Sequence, residues 1–329
     1  MIRTVRIFGK SAAPLAVLAL CWTLAACGQT PTAGGQGRPQ NRDGISGAGG
    51  EGRPGRTIVV SYSILGSVVK ELAGSAFTVR VLVPNGLDVH EWEPSARDIE
   101  ALNRADLVVV NGLGLEGGME KALTQARASG RRFFVAGDHI AVRRVGRGEG
   151  LPNGDPDQAE GAEDPHLWTD PRAMASVAAA LKDEILKDFG IDLSAGAASL
   201  ISRLGALDTE IREKTSALPP EKRRLVTGHE SLGYFAAAYN FRLIGAVVPS
   251  LSSDAEASAA GLAALKKLIV ENKVRTVFTE TGTPKQVVDA LAADSGVKVM
   301  SLATHSLPAD GSYFSFERQL ADDILKGLE

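Results

Sequence analysis

Two blocks of short apolar runs alternating with helical periods, separated by about fifty residues without a strand candidate, constrain this chain more than any other feature. In the first block, residues 57–61 (TIVVS), 78–83 (TVRVLV), 107–110 (LVVV) and 132–135 read as buried strands. Helices are expected over 65–73, from Ser95 onward with Asp98 completing a capping box, and over 115–128. Strands alternating with helices imply a parallel α/β sheet. The middle departs from that rhythm. Asp170-Pro171 supplies an N-cap and a first-turn proline for a helix to about Phe189. A second helix over 194–217 carries Leu200, Leu204, Leu207 and Ile211 on one face until Pro219-Pro220 stops it. The rhythm then resumes with strands at 225–227, 243–247, 274–279 and 298–302. Helices are expected at 232–239, from a Ser253/Glu256 capping box to about Asn272, after Thr283-Pro284, and over 313–328. The expected fold is therefore α/β, with two lobes (57–193 and 221–329) of parallel-rich sheets flanked by helices. A long bridging helix (194–220) joins them, and a ligand shared by both lobes sits in the interlobe cleft.

Residues 1–26 are expected to be a removable export signal. Arg3, Arg6 and Lys10 precede an uncharged apolar stretch, too short for a membrane-spanning helix of about 20 residues. The stretch ends in Leu24-Ala25-Ala26-Cys27, which resembles the bacterial lipobox, and so implies a lipidated Cys27. Residues 28–56 contain ten glycines, three prolines and almost no bulky apolar side chains. Such a segment cannot bury enough surface to offset its ordering entropy and reads as a flexible leash. The expectation is an exported monomer, held to the outer face of a bacterial membrane by a lipid anchor, in the periplasm or at the cell surface.

Composition removes several functions. With 36 Lys+Arg against 39 Asp+Glu there is no basic excess, so no nucleic-acid partner is expected. Of two cysteines, Cys21 leaves with the signal and Cys27 becomes the anchor, so the folded body has no thiol for a disulfide or a cysteine zinc site.

Only five histidines occur: His90, His139, His166, His229 and His305. His90, His229 and His305 each follow a strand, where ligands bind in open α/β sheets, and His166 precedes the middle helix. Separations of 76, 63 and 76 residues exclude a local zinc finger and require a site built by tertiary folding. Four imidazoles would fill a tetrahedral shell with no position left for water, which favours carrying a metal over catalysis.

The motifs around these histidines resemble those of the zinc/manganese ABC-transporter substrate-binding proteins, the ZnuA/TroA-like family. Val83-Pro84-Asn85-Gly86-Leu87-Asp88-Val89-His90-Glu91-Trp92-Glu93-Pro94 looks like the segment carrying its first ligand. Ala105-Asp106-Leu107 and Asn111-Gly112-Leu113-Gly114-Leu115-Glu116 continue the likeness. Asp164-Pro165-His166-Leu167-Trp168-Thr169-Asp170-Pro171 is similar to the second-ligand motif, and His229-Glu230-Ser231-Leu232-Gly233-Tyr234 to the third. The resemblance implies two α/β lobes joined by a long helix, delivery of a divalent metal to a permease driven by an ATPase, and lipoprotein tethering.

Two departures from the family pattern bear on the metal. A histidine, His305, stands where family members often carry the aspartate that is their fourth ligand, and the third ligand is also histidine. That moves the expectation from manganese toward zinc, with a manganese-type carrier as the alternative. Glu280, in Phe278-Thr279-Glu280, is the other candidate to complete the shell, or else orients an imidazole from behind. Residues 143–164 occupy the place of a His-rich loop but contain acidic residues and no histidine, which reads as a solvated loop or a weak metal attractant. His139 matches no ligand motif.

Enzyme readings fail on spacing. An H-E-x-x-H site at His229 would need histidine where Gly233 stands, and a nucleophile elbow at Ser231 would need glycine where His229 stands. Gly112-Leu113-Gly114 lacks the third glycine of a dinucleotide fingerprint. A surface adhesin on the same fold is the remaining rival.

Overall fold

The computed structural model describes residues 55–146, 149 and 160–329; the expected signal and most of the expected leash lie outside them. The β-branched runs of the first block pair as one parallel sheet. Strand β1 (Thr57–Tyr62) is flanked by β2 (Thr78–Val83) and β3 (Leu107–Val110), and β4 (Phe133–Val135) extends the β3 edge. Ile58, Val59 and Val60 are wholly buried, as expected of a central parallel strand covered on both faces. Helix α1 (Ser63–Ala73) follows β1 directly, and α2 (Ala96–Arg104) opens on the Ser95/Asp98 capping box.

The helix expected over 115–128 is interrupted. Residues 117–119 form a 3-10 turn, and α3 (Glu120–Ala128) begins after it. The cause is Gly117-Gly118, whose backbone presses on the segment carrying His90. The Gly118 N–H donates to the His90 carbonyl at 3.0 Å, and a Cβ at Gly118 would lie 2.5 Å from the Trp92 carbonyl oxygen.

Helix α4 (Pro171–Phe189) starts where Asp170 accepts from the Arg172 N–H, and it packs along α5 (Ser194–Ser216). Helix α5 presents Leu200, Leu204, Leu207 and Ile211 as a buried stripe. Each such side chain contributes about 1.5–3 kcal/mol relative to exposure. Helix α5 touches α1 and α4, which precede it, and α6 (Gly233–Tyr239) and α9 (Tyr313–Leu328), which follow it.

In the second block, β5 (Arg224–Thr227) pairs in parallel with β6 (Arg242–Ala246), and β7 (Thr276–Thr279) with β8 (Lys298–Ser301). Helices α7 (Ala259–Glu271) and α8 (Lys285–Ser295) pack with these strands. Helix α7 starts later than expected. Ser252 donates to Asp254 and takes Ser250 Oγ as acceptor, so residues 250–254 close turns of their own. Ser258 then caps the helix by accepting from the Gly261 N–H at 3.0 Å.

One apolar cluster runs from Ile58 to Leu328 and joins α4, α5, α6 and α9 to the first sheet. A smaller one, with Val226, Ile244, Leu265, Val277 and Val288, lies under α7 and α8. Among the described residues, no helix is long and apolar enough to cross a membrane.

Because Leu204 is completely buried in the α5 stripe, Leu204→Ala is expected to destabilise the protein by about 2–5 kcal/mol. Urea unfolding should show a lower midpoint with an unchanged slope.

Candidate metal centre

The four histidines expected to share a site converge in space. One ring nitrogen from each of His90, His166, His229 and His305 lies within 4.8 Å of all the others. His166 is fully buried and the other three are at most 5% exposed. His166 Nε2 and His229 Nε2 are 3.2 Å apart. Zinc with nitrogens at about 2.0–2.1 Å in a tetrahedron requires them about 3.3–3.4 Å from one another, so this edge already has the right length. His90 Nε2 and His305 Nε2 are buried without a hydrogen-bond partner. Orphaned buried nitrogens are costly unless something accepts their lone pairs, and a cation does so.

Each imidazole is aimed from behind. His166 Nδ1 lies 2.9 Å from Asp164 Oδ1, and the same oxygen accepts the His166 backbone N–H. Glu280 Oε2 accepts from three directions: Ser231 Oγ at 2.6 Å, Thr304 Oγ1 at 3.0 Å, and His229 Nδ1 at 3.1 Å. Since the Thr304 hydroxyl donates to Glu280, its oxygen accepts the His305 Nδ1 proton at 3.0 Å. One carboxylate thus assigns the tautomer of two imidazoles and turns their Nε2 atoms inward, the arrangement typical behind metal-ligating histidines.

The surrounding motifs hold these segments in place. Glu116 accepts the Asn111 and Gly112 N–H groups at the end of β3. The Asn111 side chain donates to the Pro165 carbonyl beside His166, and the Tyr62 hydroxyl donates to Asn111. A Cβ at Gly112, whose φ is +78°, would meet Val135 at 2.4 Å, so this turn requires glycine. Trp168 Nε1 donates to the Thr304 carbonyl, tying the second histidine's segment to the fourth's. A cavity of about 360 Å³ reaches His90 between Leu113, Glu163, Pro165 and Leu251, and offers a way in.

Burial, reinforced by neighbouring imidazoles, holds His90 and His166 well below the ordinary histidine range and His305 at about 4. Burial pushes His229 the same way. The charge and hydrogen bond of Glu280, with the charges of Asp88 and Asp164, more than offset it, so His229 lies above its ordinary value. Glu280 is correspondingly held at about 2: burial opposes this, and His229 together with the Ser231 hydrogen bond outweighs it. Without metal, His229 is therefore the imidazole of the four that most readily takes up a proton, and its Nε2 faces His166 Nε2.

The expected alternative ligand, Glu280, stands one hydrogen bond behind His229 rather than among the four nitrogens. His139 stacks on Phe134 and belongs to no cluster with the other four. Sequence reasoning left Asp164, Ser231 and Thr304 without roles. Their adjacency to the histidines was visible, but their partners are set by tertiary folding.

A family model described as zinc-uptake complex component A, periplasmic (ZnuA), matches residues 58–327. The chain belongs to the ZnuA family, the substrate-binding proteins of metal ABC transporters. This ZnuA-family chain is thus a solute-binding protein and not an enzyme. It is 27% identical to a protein of Halalkalibacterium halodurans named manganese-binding lipoprotein MntA, covering 83% of this chain and 89% of that one. It is 30% identical to the zinc-binding protein TroA of Treponema pallidum, over 75% of this chain and 77% of that one. The solved structure of the periplasmic zinc-binding protein TroA superposes with a TM-score of 0.72 at 27% identity, covering 83% of this chain and 99% of that one.

In this ZnuA-family chain a proton taken up by His229 would compete with a metal for the His166–His229 edge. Metal uptake is expected to release a proton from His229, and the release should fall as pH rises through the raised His229 value. Calorimetry in buffers of different ionisation enthalpy measures this. Glu280→Gln, which no longer holds that proton, should reduce the release toward zero.

Proposed function

We propose that this protein captures zinc outside the cytoplasm and hands it to a membrane permease driven by an ATPase. His90, His166, His229 and His305 are the ligands, and Glu280 supports His229 and His305 from behind. The observation that carries this reading is the convergence of four buried imidazole nitrogens, two of them without partners. An all-nitrogen tetrahedron suits zinc, whereas manganese prefers oxygen donors. A shell filled by protein leaves no coordination position for a reacting water, in keeping with carriage. Both a manganese-binding and a zinc-binding protein stand among the relatives. Manganese has one observation in its favour, because Glu280 Oε1 is buried without a partner and offers an oxygen close to the site.

The remaining parts of the proposal follow from the sequence pattern. Residues 1–26 direct export, Cys27 is lipidated, and the leash to residue 56 lets a monomer reach its permease from the membrane surface. The lobes are 57–193 and 221–329, with α5 inside the bridge at 194–220, so that His90 and His166 come from one lobe and His229 and His305 from the other.

Metal-stripped protein lacking residues 1–27 is expected to bind about one zinc per chain with submicromolar or tighter affinity, and manganese at least about tenfold more weakly. Titration calorimetry with elemental analysis tests this. His90→Ala and His229→Ala should each weaken zinc binding by about 100-fold or more. A wild-type stoichiometry near zero, or undiminished affinity in both variants, contradicts the reading; tighter manganese binding favours the alternative.

A further inference from the structure

The acidic segment 143–164 before His166 has no histidines, yet its stem is built into the site. Residues 143–145 and 161–164 run antiparallel. Arg144 and Glu163 form a bridge, the Val145 N–H donates to the Ala162 carbonyl, and the Asp164 N–H donates to the Arg143 carbonyl. At the site end of this stem, Arg143 Nη1 lies 3.1 Å from Asp164 Oδ2, and the other Asp164 oxygen takes both His166 contacts. The guanidinium's second nitrogen bonds Glu149, and the Arg143 backbone N–H donates to the Tyr234 hydroxyl at 2.9 Å. Asp164 is completely buried and the Arg143 side chain is 14% exposed, so solvent does little to weaken this pair.

Space for the contact comes from a different part of the chain. A Cβ at Gly233, in the first turn of α6 and four residues beyond His229, would lie 2.0 Å from Asp164 Oδ2 and 2.6 Å from Arg143 Nη1. The glycine's φ is not in the left-handed region, so backbone conformation does not demand it. The close approach of the ion pair does.

We infer that Arg143 is a positioning residue for metal binding: it clamps Asp164 so that the His166 imidazole is held with Nδ1–H outward and Nε2 toward the metal, with Gly233 providing the room. The inference rests on the zinc-carrier reading and deepens it. The Arg143–Asp164 pair at the site end of the stem sets how rigidly the second ligand is presented. Removing the guanidinium leaves Asp164 buried with one oxygen unpaired, free to turn away from His166, and the ring then samples both tautomers. Outer groups of this kind typically contribute about 10–100-fold to metal affinity.

The test uses Arg143→Met, Arg143→Lys, Gly233→Ala and, as a control, Arg144→Ala, whose side chain pairs with Glu163 at the surface. Zinc affinity and release rate are measured beside the ¹⁵N–¹H spectrum of the histidine rings in metal-free protein. Arg143→Met and Gly233→Ala are expected to weaken zinc about 10-fold or more through faster release, and to replace the single His166 tautomer by a mixture. Arg143→Lys should recover part of the loss, and Arg144→Ala should match wild type. A lower melting temperature for Arg143→Met, with wild-type affinity and a single His166 tautomer, would overturn the inference and leave Arg143 a structural residue. Absence of zinc binding by the wild-type protein would instead overturn the carrier reading itself.

Discussion

Four imidazole nitrogens brought within 4.8 Å of one another in a dry interior are the constraint around which the rest of the molecule is arranged. Such a cluster gathers lone pairs and strips them of water, which is unfavourable without a cation. The fold manages it with carboxylates placed behind the rings. Asp164 stands behind His166, while Glu280 stands behind His229 and, through Thr304, behind His305. These acids favour the tautomers that turn Nε2 inward. In the metal-free state Glu280 also raises the proton affinity of His229, whose Nε2 faces His166 Nε2 along one edge of the cluster.

Keeping the nitrogens in place demands rigidity from loops, which are ordinarily the mobile parts of an α/β protein. Here the loops of His90, His166 and His305 are each tied to another segment. Asn111 grips Pro165, Gly118 takes the His90 carbonyl, Trp168 bonds Thr304, and the Tyr313 hydroxyl of α9 donates to the Trp168 carbonyl. Beneath them, α5 packs against helices from both blocks. The Asn111–Glu116 segment therefore acts as a clamp on the His166 loop. This explains physically why the four histidines keep company with motifs that lie outside their cluster.

Much of this is legible in the sequence. Apolar runs such as Thr57–Tyr62 are strands because β-branched residues covered on both faces leave little choice, and the 200/204/207/211 stripe has one helical reading. Four of five histidines stood at loop positions beside characteristic motifs, and the structure collects those four. What escaped depended on distant partners. Ser253 and Glu256 satisfy the local rule for a helix start, but neighbouring serines close their own turns and Ser258 takes the cap. Gly117-Gly118 falls inside the helix expected over 115–128; the backbone of His90 and Trp92, distant in sequence, turns it into a contact surface instead. Glu280 was open as ligand or support because one-dimensional spacing does not distinguish an oxygen near a metal from one a hydrogen bond behind it. The same limit hid Arg143, whose partner is 21 residues away and whose space depends on Gly233.

The claim on which the account rests is that protein nitrogen alone closes the shell. X-ray absorption at the zinc edge of the loaded protein addresses it most directly. Four nitrogen neighbours at about 2.0 Å, with the outer-shell scattering of four imidazole rings, are the predicted result. A shell containing oxygen, from Glu280 or from water, with three or fewer imidazoles, would contradict it.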